Sequence, residues 1–408
     1  MSLLIPRRAV LAATGGALLA RPALVRAQSS SEPIRIGSLT PNTGGGGQFG
    51  PEIAEAHRKV VELVNSQGGV LGRQIRLVQE NDETNPEAAV RAARKLIDAD
   101  RVMALLGLWA SSSTLGVLPL AEAANVLVFC TSSSDDIPRA NRRGLVFNFQ
   151  PLNAAWGVAL ARLAARRGFR EVAVAGPNND FATSLAHSFK AALEAEGGRV
   201  VNDIFFYNAA QPSYRAEVER LTRGNPPALF IPGYVTDFTS FYRDIYRSGY
   251  RGQVFTISFA VGPQFKQAVG AAADGILHGF PVPPVGSPTY DAYLRFVGKT
   301  PDGSVQNPYG CAGFDQINVL LLAIAAAGTD NVDAVKAQIP RVANGPGERV
   351  TTFAEGLAAL RAGKTINYEG ASSSVEFKPD GMLLARDFEL YEIKGGRDVS
   401  VERITSAA

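Results

Sequence analysis

With 408 residues, 46% of them apolar and 19% charged, the chain has the length for two domains and the apolar content for full cores, which excludes a largely disordered protein. A formal charge of +3 is too slight for a nucleic-acid binder. Cys130 and Cys311 alone cannot build a disulfide framework or a Cys-rich metal site, and His57, His187 and His278 are too far apart in sequence to read as a metal-binding pair.

Residues 1–27 read as an export signal that is removed. Arg7 and Arg8 open it, a mostly apolar stretch runs from Ala9 to Ala20, and Val25-Arg26-Ala27 ends it as a small-x-small cleavage site. The apolar stretch is about half the roughly 20 residues of a membrane span, and no Cys sits near the cut to take a lipid. The arginine pair fits a twin-arginine signal or a general one. This leader carries four Arg and no acid, which leaves 37 basic against 38 acidic residues in a soluble, exported product.

After Ser29–Ser31, strands and helices alternate. Ile34–Leu39 reads as a strand. Pro51–Ser66 reads as a helix, with Ile53, Val60, Val61 and Val64 on one face. Ile75–Gln79 is a strand, and Asn85-Pro86-Glu87 is a capped helix start. Val102–Gly107 is a strand, Ser113–Ala124 a helix and Val126–Cys130 a strand. A second series runs helix Asn153–Arg167, strand Glu171–Ala175, helix Phe181–Glu196 and strand Val200–Phe206. It continues with helix Ser213–Arg223, strand Ala228–Ile231, helix Thr236–Ser248 and strand Val254–Ile257. Two such series predict two doubly wound parallel sheets. Beyond Gly279 come the helices Thr289–Gly298, Gly313–Ala327, Val332–Ile339 and Phe353–Ala362, then strand-like Ser374–Phe377 and Phe388–Ile393. Helices without parallel-strand partners predict that this part packs back onto an earlier sheet.

Gly45 to Gly50 fits the G-x-G-x-x-G pattern between a strand and a helix, where such glycines let a pyrophosphate approach helix amides. Two features oppose a dinucleotide. The nearest acid at a strand end is Glu80, 30 residues after Gly50, and the loop from Thr40 is long for the tight turn. The other reading is a Gly-rich loop at a domain face.

Gly68-Gly69-Val70-Leu71-Gly72-Arg73-Gln74-Ile75, Glu80-Asn81-Asp82-Glu83-Thr84-Asn85-Pro86 and Gly107-Leu108-Trp109-Ala110-Ser111-Ser112-Ser113-Thr114 follow one another. With Pro232-Gly233-Tyr234, Ala273-Asp274-Gly275-Ile276 and Gly313-Phe314-Asp315-Gln316, this set resembles the periplasmic solute-binding proteins of branched-chain amino acid ABC transporters, the leucine/isoleucine/valine-binding family. The resemblance runs from about Ile34 to Ile393. It implies an α/β fold, the type I periplasmic binding protein, with two doubly wound αβ lobes joined by three hinge crossovers. Lobe 1 would be 33–150 plus 281–380 and lobe 2 would be 151–280 plus 381–408.

The resemblance also implies a site. Ser111 matches the position that grips a ligand carboxylate, Ser132 and Ser134 match the second gripping loop, and Phe181 and Tyr234 match lobe-2 aromatics that face the ligand. By themselves the serines read equally as helix and turn caps. Trp109 stacks on the ligand or packs under a lobe edge. Ser258 falls where the family's amino acid binders carry a Glu for the ligand ammonium, so either Asp135 or Asp237 reaches in or the ligand has no ammonium. Thr84 and Ala110 stand where relatives often have a disulfide, and Cys130 and Cys311 read as buried thiols. Asp, Glu and His show no catalytic spacing. The expected function is a non-enzymatic, monomeric periplasmic protein that carries an amino acid or an aromatic or aliphatic acid to permease subunits, without cofactor, metal or nucleic acid. The alternatives are an exported α/β enzyme with a nucleotide at Gly45–Gly50, or a soluble ligand sensor.

Overall fold

The computed structural model describes residues 32–384 and 386–404, so the export signal expected at 1–27 lies outside the described residues. In lobe 1, β1 (Ile34–Thr40), β2 (Ile75–Asn81), β3 (Ala104–Leu108), β4 (Leu127–Cys130) and β5 (Val146–Asn148) form a parallel sheet in the order β2-β1-β3-β4-β5. In lobe 2, β6 (Glu171–Pro177), β7 (Arg199–Val200), β8 (Phe205–Tyr207), β9 (Ala228–Phe230), β10 (Gln253–Ile257) and β11 (Leu277–Pro281) pair in parallel, with β7, β8 and β9 all on β6. A small pair, β12 (Glu348–Val350) and β13 (Ile366–Tyr368), lies apart. The chain then returns to lobe 2, where β14 (Phe388–Lys394) and β15 (Arg397–Ile404) extend the sheet antiparallel beside β11.

The central strands are apolar along their length because helices cover both faces. The late helices do pack back: Gly310–Ala327 lies against the Gly50–Ser66 helix and β3. It is long and apolar enough to cross a membrane by composition, yet 83% of it is buried as the core helix of lobe 1.

Several elements differ from expectation. The strand expected at Val200–Phe206 splits into β7 and β8. Asn202 sits between them, accepting from Val174 N at 2.8 Å and donating to Val174 O at 3.0 Å, so a side chain replaces the ladder. Ser374–Phe377 is a loop, because buried Asp315 captures the amides of Ala371 and Ser372 at 2.8 and 2.7 Å and bends the segment around itself. β15 was not expected, although Gly395-Gly396, with φ of 56° and 73°, is a two-residue hairpin signal, and Lys394 pairs with Arg397 across it.

The chain crosses between the sheets after β5, after β11 and before β14. Buried Arg386 ties all three crossings. It lies on the third, donates to Gln150 Oε1 on the first at 2.8 Å and to Val282 O on the second at 3.2 Å.

Candidate functional site

The carboxyl ends of the parallel strands of both lobes face one another, which is where open αβ sheets bind ligands. Between them lies a chamber of about 210 Å³ lined by Trp109, Ser111, Thr131, Ser133, Phe181, Tyr234, Phe259 and Tyr309.

Lobe 1 supplies the polar wall. Trp109 and Ala110 leave β3 and turn into the Ser111–Ala124 helix, whose N-cap is Ala110 without a side-chain cap. The amides of its first turn therefore lack partners within the helix and face the chamber end with partial positive charge. Ser111 Oγ accepts from the Ser134 amide at 3.1 Å, so the two loops brace each other. Thr131 and Ser133 line the chamber. Ser132 and Ser134 do not: both are fully buried, and they point the other way, in keeping with the alternation of the strand before them. Ser132 Oγ is bonded to Thr114 Oγ1 at 2.6 Å and to Trp109 O at 3.1 Å, and Ser134 Oγ takes the Asp136 amide at 3.3 Å. Their hydroxyls hold the loop in shape.

Lobe 2 supplies rings. Phe181 opens the Asp180–Ala195 helix, stacks on Tyr234 at 6.0 Å and touches Phe259 at 5.5 Å. Trp109 joins this cluster from lobe 1, with Tyr234 at 5.3 Å, Phe259 at 5.5 Å and Tyr309 at 5.8 Å from its centroid. Burial pushes the Tyr234 and Tyr309 phenols above their usual range, so both stay neutral donors. The Trp109 indole N–H lies near the Tyr309 hydroxyl but reaches no acceptor at hydrogen-bonding geometry, and Thr131 Oγ1 likewise has no partner among the described residues.

The acids offered for a ligand ammonium are engaged elsewhere. Asp135 accepts from Ser184 Oγ, Ser188 Oγ and the Ala154 amide at 3.0, 2.6 and 3.0 Å. Asp237 accepts from the Ala210 amide at 2.8 Å and Tyr214 OH at 3.1 Å. Ser258 lines a neighbouring space of about 760 Å³ instead of the chamber. There the structure assembles what sequence spacing did not show. Ser258 Oγ lies 2.8 Å from His278 Nδ1, and His278 Nε2 lies 3.0 Å from Asp398 Oδ1.

Gly45–Gly50 does not form a phosphate cradle. A Cβ on Gly45 would stand 2.9 Å from the Tyr234 ring, one on Gly46 2.8 Å from Trp109, and one on Gly50 2.2 Å from Pro41 O. These glycines let the loop lie flat over the aromatic cluster, and Phe49 closes the helix start. Cys130 and Cys311 are free and buried, and burial pushes both thiols up to about 12.

Two hinged lobes closed over an aromatic chamber with a helix start at one end form a solute-capture device that works by hinge closure. The chain belongs to the periplasmic binding protein family, whose model matches residues 33–397. It is 23% identical over 371 residues to the leucine-, isoleucine-, valine-, threonine- and alanine-binding protein of Pseudomonas aeruginosa, covering 89% of this chain and 90% of that one. The fold is similar to that of a leucine-binding protein from Thermotoga maritima, with a TM-score of 0.75 at 22% identity over 91% of this chain and 99% of the other. It is also similar to a Rhodopseudomonas palustris HaA2 ABC-transporter solute-binding protein in complex with p-hydroxybenzoic acid, with a TM-score of 0.73 at 18% identity over 92% and 98% of the two chains.

Sequence reasoning missed Thr131, Ser133 and Tyr309 in the chamber, and Gln48, Lys266, His278 and Asp398 beside it. The alternation after β4 was a usable signal for the first two. The others come together only through the fold.

Proposed function

We propose that this chain captures a small carboxylate or amide solute between its lobes and presents it to the membrane permease of an ABC uptake transporter. The observation that carries this reading is a pair of buried, unpartnered hydrogen-bonding atoms, Trp109 Nε1 and Thr131 Oγ1, on the chamber between the lobes. Each costs about 1–3 kcal/mol while unsatisfied, and a solute that bonds them removes that cost. The solute's acid head lies at the start of the Ser111–Ala124 helix, and its body lies against Trp109, Phe181, Tyr234, Phe259 and Tyr309.

The chamber has no free carboxylate among its lining residues. Asp82 acts electrostatically on Tyr234, but it is fully buried beside Ser113, and burial holds its carboxyl up to about 6. An amino acid's ammonium would therefore be stranded. This favours an acid without an ammonium, as in the complex with p-hydroxybenzoic acid, over the amino acids named for the Pseudomonas relative. Residues 33–150 with 281–380, and 151–280 with the C-terminal hairpin, move as the two lobes. The protein works in the periplasm, as a monomer and without catalysis, once residues 1–27 are removed.

Native mass spectrometry of freshly purified protein tests this directly. A co-purified acid is expected, and Ser111→Ala with Thr131→Val should weaken its binding by more than about tenfold with the fold unchanged. Recovery of leucine or valine would overturn the ammonium-free assignment. Protein that binds no acid would overturn the transport reading.

A further inference from the structure

The chamber, about 210 Å³, is much smaller than the more open space of about 760 Å³ beside it. Aromatic rings stand between the two. Phe259 lines both, and Phe49 stands 6.3 Å from it edge-on and 4.8 Å from Tyr309. Phe49 is half-buried and follows the glycine turn at Gly44–Gly47, so one side of this wall rests on a loop.

The polar groups of the outer space are fixed by an ordered chain of hydrogen bonds. Asp398 lacks a proton to give, so His278 Nε2 carries the hydrogen between them. His278 Nδ1 is then an acceptor, and Ser258 must spend its only hydroxyl hydrogen on it. The ring is held in this pose by Tyr391, stacked at 5.3 Å. What remains of Ser258 for the pocket is its lone pairs, strengthened as acceptors by the chain behind them. Lys266 Nζ sits 2.6 Å from Asp398 Oδ2 and cancels the carboxylate's charge. On the opposite wall, from lobe 1, the Gln48 side-chain nitrogen is shut off from solvent with no partner among the described residues.

A fixed acceptor, an unpartnered donor, no net charge and phenylalanine walls suit a neutral polar group. An ammonium would need an uncompensated acid, and a carboxylate an uncompensated cation. We propose that this pocket is a second subsite of the cleft, which takes a hydroxyl or amide at the far end of an elongated solute by accepting at Ser258 Oγ and donating from Gln48. The solute passes between Phe49 and Phe259, its acid head at the Ser111 loop. The inference rests on the chamber being the site of the acid head.

Isothermal titration with 3-phenylpropionate and 3-(4-hydroxyphenyl)propionate tests it. The wild type should bind the hydroxylated acid about tenfold more tightly, the worth of one hydrogen bond. Ser258→Ala should shrink that gap below about threefold, with Gln48→Leu acting in the same direction. Equal affinities in the wild type, or a gap that survives both substitutions, would overturn the subsite. A wild type that binds neither acid would instead remove the Ser111 loop as an acid site, and this inference with it. A serine held this way also resembles the start of a nucleophilic relay. Hydrolysis of 4-nitrophenyl acetate that is lost in Ser258→Ala would assign the chain of groups to acyl transfer and overturn the binding role.

Discussion

Lobe 1 meets the chamber with hydroxyls and helix-start amides beside the Trp109 and Tyr309 rings, and lobe 2 meets it with rings alone. The polar groups of lobe 1 come from two loops, Trp109–Ser113 and Thr131–Ser134, each directly beyond the end of its strand. Those of lobe 2 come from separate helix starts and strand ends, and its outer relay joins Ser258, His278 and Asp398 across 140 residues of chain. The polar wall is thus built locally and the other side by assembly. A parallel sheet makes the first arrangement easy, because each strand's carboxyl end delivers a loop and a helix start together. The second needs the antiparallel hairpin that closes the lobe 2 sheet.

The contrast explains what was legible. Alternating strands and helices, the return of the late helices and the Ser111 loop follow from short-range pattern. The resemblance gives Ser132 and Ser134 while Thr131 and Ser133 line the chamber, because a resemblance gives the loop but only the strand's alternation gives its facing. The His278 relay was out of reach because its acid lies on β15, a strand whose charged, exposed sequence hides the hairpin that Gly395-Gly396 signals. Asp135 was one of two acids offered for a ligand ammonium, and its partners on the Asp180–Ala195 helix lie 49 and 53 residues away.

The comparison breaks most severely at the seam that keeps the two walls opposed. Arg386 is buried and bonds the first and second crossings from the third. Arg386→Met leaves Gln150 and Val282 O without that donor. Two stranded acceptors should cost about 2–4 kcal/mol in urea unfolding and separate the lobes into two transitions. A single transition at wild-type midpoint would show that the sheets hold the crossings unaided.

A second test isolates the polar wall of lobe 1. Asp82 is held near 6 by burial, against an ordinary 3.8. A raised acid adds stability below its unfolded value, and that contribution fades as pH rises through about 6. Asp82→Asn cannot titrate. Relative to wild type it should therefore gain up to about 3 kcal/mol between pH 4 and pH 8, read from denaturation midpoints across that range. A difference that stays flat with pH would mean the carboxylate is already ionised in the folded chain.

The finest test asks whether the two walls are latched or merely touching. Asp135 stands on lobe 1 beyond β4, while Ser184 and Ser188 are one turn apart on the lobe 2 helix, and both hydroxyls reach the same carboxylate oxygen. The Asp135 amide also donates to Ser184 Oγ at 3.0 Å. These bonds exist only when the lobes are closed, so they add to the closed state and not to the stability of either lobe. Asparagine at 135 can still accept at one atom, but its amide nitrogen cannot take both hydroxyls. Asp135→Asn should therefore shift the free protein towards the open form and weaken solute binding by about tenfold, because apparent affinity scales with the closed fraction. Small-angle scattering of the solute-free variant should show a larger radius of gyration, with its thermal midpoint unchanged. Ser184→Ala with Ser188→Ala should reproduce both changes from the other wall. If the two variants weaken binding without opening the free protein, Asp135 acts inside the chamber after all, and the division between a gripping wall and a latching rim fails.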